Sequence, residues 1–446
     1  MNSTSPRRRF ASAAVAGVAL TGLLSACGGS DSGDDASSKP SGPVTLDFWG
    51  WANGQEAVVK AFNASHKDVK LKYTKVTDQL TMQKQLTNAV KADNAPCLLQ
   101  NTGEYVTSWV SQGALADITQ YVQSNKDKFN PGSWAVGQVQ GKVYGVPTAS
   151  APAFTIYRTD IFAKYGLQPP RTWDDFIAAG KELKKHGIKV TNYAGEDPST
   201  LEVLAMQAGA DWYSIDGDSW KVNFQDEGTL KAAKVIQEII DNDLNAKLSF
   251  ADYAAVQRSF DTGATATRQI STWQMSGMVQ NFTKSFGKWA LAPWPTFKGE
   301  AARTPAGTNQ SGNLTLVSEQ CDHKEQAAQA ALWMSTDPGA VKTMASPETG
   351  SGVMPALADS ESYVSEAISQ KLLGKNYEPA KKIVTDSLGT IRTGWTFGPN
   401  WTAMFTEMQD EWAKVVSKKQ KVTDLLAHMQ EWTVNDLKQR GINVKG

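Results

Sequence analysis

The chain has 446 residues, with 45 lysines and arginines against 45 aspartates and glutamates, 15 tryptophans and only three cysteines. That length exceeds what one hydrophobic core usually carries, so two lobes are expected. The balanced charge does not suggest a surface built for a polyanion, so no nucleic-acid partner is expected.

The first segment reads as an export signal. Arg7, Arg8 and Arg9 make a basic start, and residues 11–24 are apolar or small. That stretch is short for a permanent membrane helix but right for a signal. Leu24-Ser25-Ala26-Cys27 resembles a bacterial lipobox, which implies cleavage after residue 26 and a lipid on Cys27. Residues 28–43 are Gly, Ser, Asp, Lys and Pro with no large apolar side chain, a flexible tether. Arg7-Arg8-Arg9-Phe10 also resembles a twin-arginine motif, so the export route stays open between that and the general secretory path. Without residues 1–26 the net charge is about −3.

In chain order, residues 44–49 alternate as a strand, and 54–64 carry apolar residues at helical spacing. Residues 69–73 alternate again, 80–92 read as a helix, and 97–99 as a short strand. This β-α-β-α-β order predicts a parallel-type sheet covered by helices, with ligands at the carboxyl ends of its strands. Residues 143–158, with Pro147 and Pro152 inside, read as extended chain crossing between lobes. Thr172 to Asp175 is a capping box opening a helix to residue 186. Further strands are expected at 189–193, 264–270, 289–293 and 313–317, and helices at 200–210 and 229–242. From His323 the chain is mostly helical, with clear amphipathic patterns at 404–416 and 422–437.

Several stretches together resemble the solute-binding proteins of bacterial ABC sugar importers, in the maltose-binding-like branch. They are "VTLDFWGW", "AVKADNAPCLLQNTGEYVTSWVSQGALADIT", "GKVYGVPTASAPAFTIYRTDIFAKYGLQPPRTWDDF", "TWQMSG" and "NLTLVSEQCDHKEQAAQAALWM". The resemblance covers residues 44–446. It implies a two-lobed α/β fold, each lobe a mixed sheet flanked by helices, joined by crossing strands. Lobe one is then 44–151 plus 313–353, and lobe two 152–312 plus 354–446. Cys97 departs from the family pattern, which has aspartate there. The family topology sets the strand 313–317 antiparallel beside the strand from Cys97, which implies a Cys97–Cys321 disulfide.

The same resemblance implies a lipid-anchored receptor on the outer face of the cell membrane. It would be a monomer, without cofactor or metal, that captures a di- or oligosaccharide and delivers it to permease subunits of an importer. Sugars need flat aromatic faces beneath their rings and planar polar groups around their hydroxyls. The expected contacts are Trp49 or Trp51, Asn53 and Gln55 after the first strand, and Glu104 and Tyr105 after the third. Ser150 lies in the crossing segment, Trp273 in "STWQMSG", and Asn309, Gln310 and Gly312 in "GTNQSGN". Trp395 and Trp401 lie near the start of a late helix. Two other function classes remain: a secreted glycoside hydrolase, which needs only two carboxylates, and a surface carbohydrate-adhesion or sensing module. No G-x-S-x-G, H-E-x-x-H or phosphate-loop motif occurs, and the four histidines sit in polar, charged settings.

Overall fold

The structure is a computed structural model and describes residues 43–303, 312–392 and 394–445. The export signal, Cys27, the tether up to residue 42, Asn309 and Gln310 lie outside the described residues. Pro43–Gly446 forms one compact unit.

Its first lobe is built on a five-stranded sheet. The strands are β1 (Val44–Gly50), β2 (Val69–Lys75), β3 (Leu98–Thr102), β4 (Gly145–Pro147) and β8 (Asn313–Val317), in the order β2-β1-β3-β8-β4. A second, three-stranded sheet takes β5 (Phe154–Arg158), β6 (Thr267–Ile270) and β7 (Trp289–Pro293), in the order β6-β5-β7. The helices that matter here are α1 (Gln55–Ser65), α2 (Gln79–Lys91), α3 (Trp173–Lys184), α4 (Ser199–Gln207), α5 (Glu227–Asp241), α6 (Trp273–Asn281), α7 (Lys324–Thr336), α8 (Trp401–Val416) and α9 (Val422–Gln439).

β1 pairs parallel with β2 and β3, as two β-α-β crossovers require. β8 enters antiparallel between β3 and β4, with Leu98 opposite Val317 and Thr315 opposite Val146. Its alternation buries Leu314, Leu316 and Val317 among residues of both faces. Gly145 is needed at this join, because a Cβ there would meet Leu316 Cδ2 at 2.3 Å. Below the sheet, Leu46, Phe48, Leu98, Val146 and Val317 pack with Val58 and Phe62 of α1 and Ala327 and Ala331 of α7.

The helix starts follow local chemistry. Asp78 Oδ1 accepts from Thr81 N at 2.8 Å at the head of α2. Thr172 and Asp175 form a reciprocal capping box at 3.1 and 3.0 Å, which opens α3. Asp226 caps α5 through Thr229 N at 2.7 Å.

Three readings from the sequence change in the structure. Residues 189–193 are not a strand: Lys189 and Thr191 make only isolated bridges to Thr265 and Asn245. The Asn245 side chain bonds the backbone N and O of Tyr193 at 2.6 and 3.0 Å and takes the place of a ladder. The crossing segment is not one extended run, because Ala149–Ser150 forms its own two-residue ribbon with Met354–Pro355 before β5 begins. A hairpin of Tyr213–Asp216 and Ser219–Val222, joined by Val444–Lys445, escaped the pattern reading because its strands are only four residues long.

Cys97 and Cys321 are joined by a disulfide, with Cα atoms 4.6 Å apart. It ties the chain just before β3 to the turn after β8, across a sequence separation of 224. Closing so long a loop should stabilise the fold by about 2–4 kcal/mol through the unfolded chain. Replacing both cysteines with serine should therefore lower the urea midpoint of the compact unit and steepen its slope, because the freed chain exposes more surface on unfolding. An unchanged midpoint would show that the bond contributes nothing.

Candidate functional site

The loop after β1 is held by one side chain. Gln100, on β3, accepts from both Trp51 N and Ala52 N at 3.0 and 3.1 Å. That bond fixes the chain as it leaves the sheet and turns Trp51 and Asn53 outward from the strand end. Asn53 is steadied in turn, since Ser351 Oγ donates to its carbonyl at 2.7 Å. Facing this wall is α6, whose first residue is Trp273. Ser276 of α6 donates to Gly350 O at 3.2 Å and so stitches the helix to the 346–353 loop. Tyr253 lies over the same helix. A Cβ at Gly277 would meet its hydroxyl at 2.1 Å, so glycine is what lets the ring approach.

Between these walls lies a cleft of about 350 Å³, lined by Trp51, Asn53, Gln100, Tyr253, Trp273 and Gln280 among others. Its floor is the crossing segment. Ser150 lines it while donating to Pro355 O at 3.1 Å. Gly312 lines it at φ +146°, where a Cβ would lie 2.4 Å from Ala149 O. No other residue fits that contact without moving the floor.

A smaller cavity of about 60 Å³ adjoins it through Gln274, which lines both. Its wall holds Tyr193, Asp197, Ser199, Arg268, Gln269 and Trp294. Four buried polar atoms there have no hydrogen-bond partner: Tyr193 Oη, Arg268 Nη1, Gln269 Nε2 and Trp294 Nε1. Each such group costs about 1–3 kcal/mol when left unpaired. Four around one cavity make a wall that a polar guest would satisfy. Burial raises the Asp197 carboxyl; hydrogen bonds from Ser199 oppose this, Glu196 adds to it and Arg268 opposes it. Burial also lowers the Arg268 guanidinium. None of these residues emerges from pattern reading. The available signal was polar Arg268 and Gln269 within "TRQI", a strand that belongs to a covered sheet.

The structure brings Trp51, Asn53, Ser150, Trp273 and Gly312 together around the larger cleft. Of the other expected residues, it brings none of the described ones there. Trp49 is half-buried within β1, opposite Thr74 and Leu99, and does not line the cleft. Gln55 is buried at the start of α1 and lines a narrow crevice behind the cleft with Gln100 and Ala149. Glu104 and Tyr105 are buried in the turn after β3 and line neither cavity.

Trp395 lines a separate cavity of about 290 Å³ with Thr107, Val136, Trp220 and Phe397, where Arg392 sits 5.7 Å over its ring. Trp401 is a correction. It is fully buried in a stack with Trp212, Tyr213, Phe397 and Phe405, because the first turn of α8 points its apolar face into the core shared by the lobes.

For a metal, the described residues offer one group, Glu407, Glu411 and His428. His428 Nε2 already bonds Glu407 at 2.7 Å and Lys414 pairs with Glu411 at 2.5 Å, so these side chains partner one another on α8 and α9. We assign no metal there.

With this geometry in hand, comparison with known proteins is informative. Residues 52–341 match the family model described as bacterial extracellular solute-binding protein. The chain is 32% identical to the lactose-binding protein of Rhizobium radiobacter over 194 residues, 42% of this chain and 44% of that protein. It is 25% identical to the arabinooligosaccharide-binding protein of Bacillus subtilis (strain 168) over 309 residues, 66% of this chain and 69% of that one. The alignment thus spans less than half of the first of these relatives. Among solved structures, the galacto-N-biose/lacto-N-biose I-binding protein of an ABC transporter from Bifidobacterium longum superposes with a TM-score of 0.79. It is 24% identical and covers 91% of this chain and all of that one. That likeness establishes the two-lobed fold.

The placement of the tryptophans separates stability from binding. Trp401→Ala should cost about 3–5 kcal/mol of folding stability, the usual range for emptying a core aromatic site. Trp273→Ala, at a half-buried position, should cost less than about 1.5 kcal/mol. Urea denaturation of the two variants decides this, and equal losses would place both rings in the same environment.

Proposed function

The chain belongs to the family of bacterial extracellular solute-binding proteins, and from that premise we propose that it captures a di- or oligosaccharide between its lobes for an ABC importer. The observation that carries the reading is the cleft itself. Trp51 from one wall and Tyr253 and Trp273 from the other present aromatic rings, with Asn53, Gln100 and Gln280 between them. Rings stack on the C–H faces of sugars, and planar amides hold their hydroxyls. The unpaired polar wall around Arg268 and Gln269 adjoins this cleft and extends the polar lining. Lactose, arabino-oligosaccharides and lacto-N-biose are bound by the related proteins, so short galactosides and pentose oligomers head the candidates.

The mechanism is capture by closure. A guest favours the closed arrangement only if it touches both lobes, since equal affinity for two states shifts nothing. Under the proposed boundaries, lobe one is 44–151 plus 313–353 and lobe two is 152–312 plus 354–446. Trp51 and Asn53 then belong to the first, and Tyr253 and Trp273 to the second. The ribbon of Ala149–Ser150 with Met354–Pro355 lies where the lobes meet and serves as the hinge. A micromolar Kd needs about −8 kcal/mol net, which two stacked rings and several paired hydrogen bonds can supply. A lipid on Cys27 and the tether after it would hold the receptor at the membrane beside its permease. The chemistry of transport lies elsewhere, and the sugar leaves unchanged.

The test is a thermal-shift screen of residues 43–446 against galacto-, arabino-, cello-, xylo-, malto- and chito-oligosaccharides. The ligand is recovered and analysed afterwards. One series should raise the melting temperature and return intact, and Trp273→Ala should weaken its affinity at least about tenfold, the loss of one stacking face. A sugar returned in pieces would make the protein a hydrolase. No shift with any sugar would overturn the saccharide reading.

A further inference from the structure

The four unpaired atoms of the small cavity, Tyr193 Oη, Arg268 Nη1, Gln269 Nε2 and Trp294 Nε1, share one property. All of them can donate. The nitrogens of Arg268 and Trp294 can do nothing else, in any orientation. Tyr193 and Trp294 are only 5% and 7% exposed. The Arg268 guanidinium hydrogen-bonds Tyr253, and its Nη1 is still left over.

The acceptors on the same wall are already engaged. Asn192 Oδ1 takes Leu248 N at 2.7 Å, and Gln274 Oε1 takes Ser271 N at 2.7 Å. Gln269 Oε1 takes the Thr191 hydroxyl at 3.2 Å, and Asp197 Oδ1 takes Ser199 N at 3.2 Å. The wall therefore has donors to spare, and a guest must bring the acceptor.

Size, charge and polarity narrow that guest. The cavity is about 60 Å³, and a water molecule occupies about 30 Å³ of the liquid. The space suits a substituent of a few heavy atoms and not a sugar ring. Its charged lining is one cation, Arg268, and one acid, Asp197. A neutral group fits that balance, whereas a carboxylate would lie beside Asp197. Val203 and Leu204, both buried, add an apolar stretch. A hydroxyl brings an acceptor, but its own hydrogen needs another, and it has no apolar end. An acetamido group has a carbonyl oxygen for the donors, a methyl for Val203 and Leu204, and an N–H for Asp197.

We propose that this cavity holds the acetamido substituent of an N-acetylated sugar whose ring lies in the cleft. Trp273 lines the cleft, and Gln274 beside it lines both spaces, so a ring at Trp273 has the cavity as its neighbour. The inference rests on the reading that the cleft takes a saccharide, and it names the class.

The experiment is calorimetric titration of residues 43–446 with pairs of sugars that differ only in this group. N,N′-diacetylchitobiose against cellobiose, and N-acetyllactosamine against lactose, exchange acetamido for hydroxyl on one backbone. In at least one pair the acetamido member should bind at least about tenfold tighter, because several unpaired donors gain an acceptor. Tyr193→Phe removes a hydroxyl that has no partner, so the fold should keep its stability. The same change should shrink the preference within the pair about threefold to tenfold. Equal affinities in both pairs, or tighter binding of the hydroxyl members, would overturn the inference and leave the saccharide reading standing. Digalacturonate binding tighter than either acetamido sugar would do the same. A folded Tyr193→Phe variant that keeps the full preference also counts against it. Should that variant not fold, the wild-type pairs decide. No binding by any of these sugars would overturn this inference and the saccharide reading together.

Discussion

One pairing organises the molecule: β8 must lie between β3 and β4, although nearly 170 residues separate β4 from β8 in the sequence. β8 bonds to β3 on one side and β4 on the other, and it buries Leu314, Leu316 and Val317 in doing so. The chain between them is therefore an excursion that must start and end at the same edge of the sheet. A second lobe joined by closely spaced crossings is the outcome. The disulfide secures the far end of the pairing, where Gly145 leaves room for Leu316, and Gly312 permits a close backbone approach to Ala149 on the near side. Because the crossings run together there, the cleft opens at that point.

The cleft walls are placed by polar bonds at the ends of elements, where the backbone would otherwise be free. Gln100 holds the exit of β1, Ser351 holds Asn53, and Ser276 ties α6 to the 346–353 loop. Such bonds are modest singly. Together they set the facing positions of Trp51 and Trp273 while both stay partly open to solvent. Deeper in, the logic reverses. Around Arg268, Gln269 and Tyr193 the fold leaves buried polar atoms unpaired, at a cost to stability that a bound polar molecule would offset.

The sequence by itself determined the local elements and their chemistry. The alternation of 44–49 and 69–73, the capping box at Thr172 and Asp175, and the amphipathic spacing of the last two helices each follow from backbone periods and side-chain caps that act within a few residues. It also determined that Trp51, Asn53, Ser150, Trp273 and Gly312 stand at ends of elements, where exposed loops gather. Only the tertiary structure decided which of them meet. Trp273 and Trp401 both sit at the head of a helix, and the one local difference is that Trp401 shares its helical face with Phe405 and Met408, whereas Gly277 and Gln280 follow Trp273 at that spacing. One faces the cleft while the other is enclosed by Trp212, Phe397 and Phe405, because long-range packing sets which side of a helix meets the core. Arg268 and Gln269 were illegible for the same reason. Their burial comes from chain that lies far away in sequence, and the cost of an unpaired polar group exists only once that chain has closed over it.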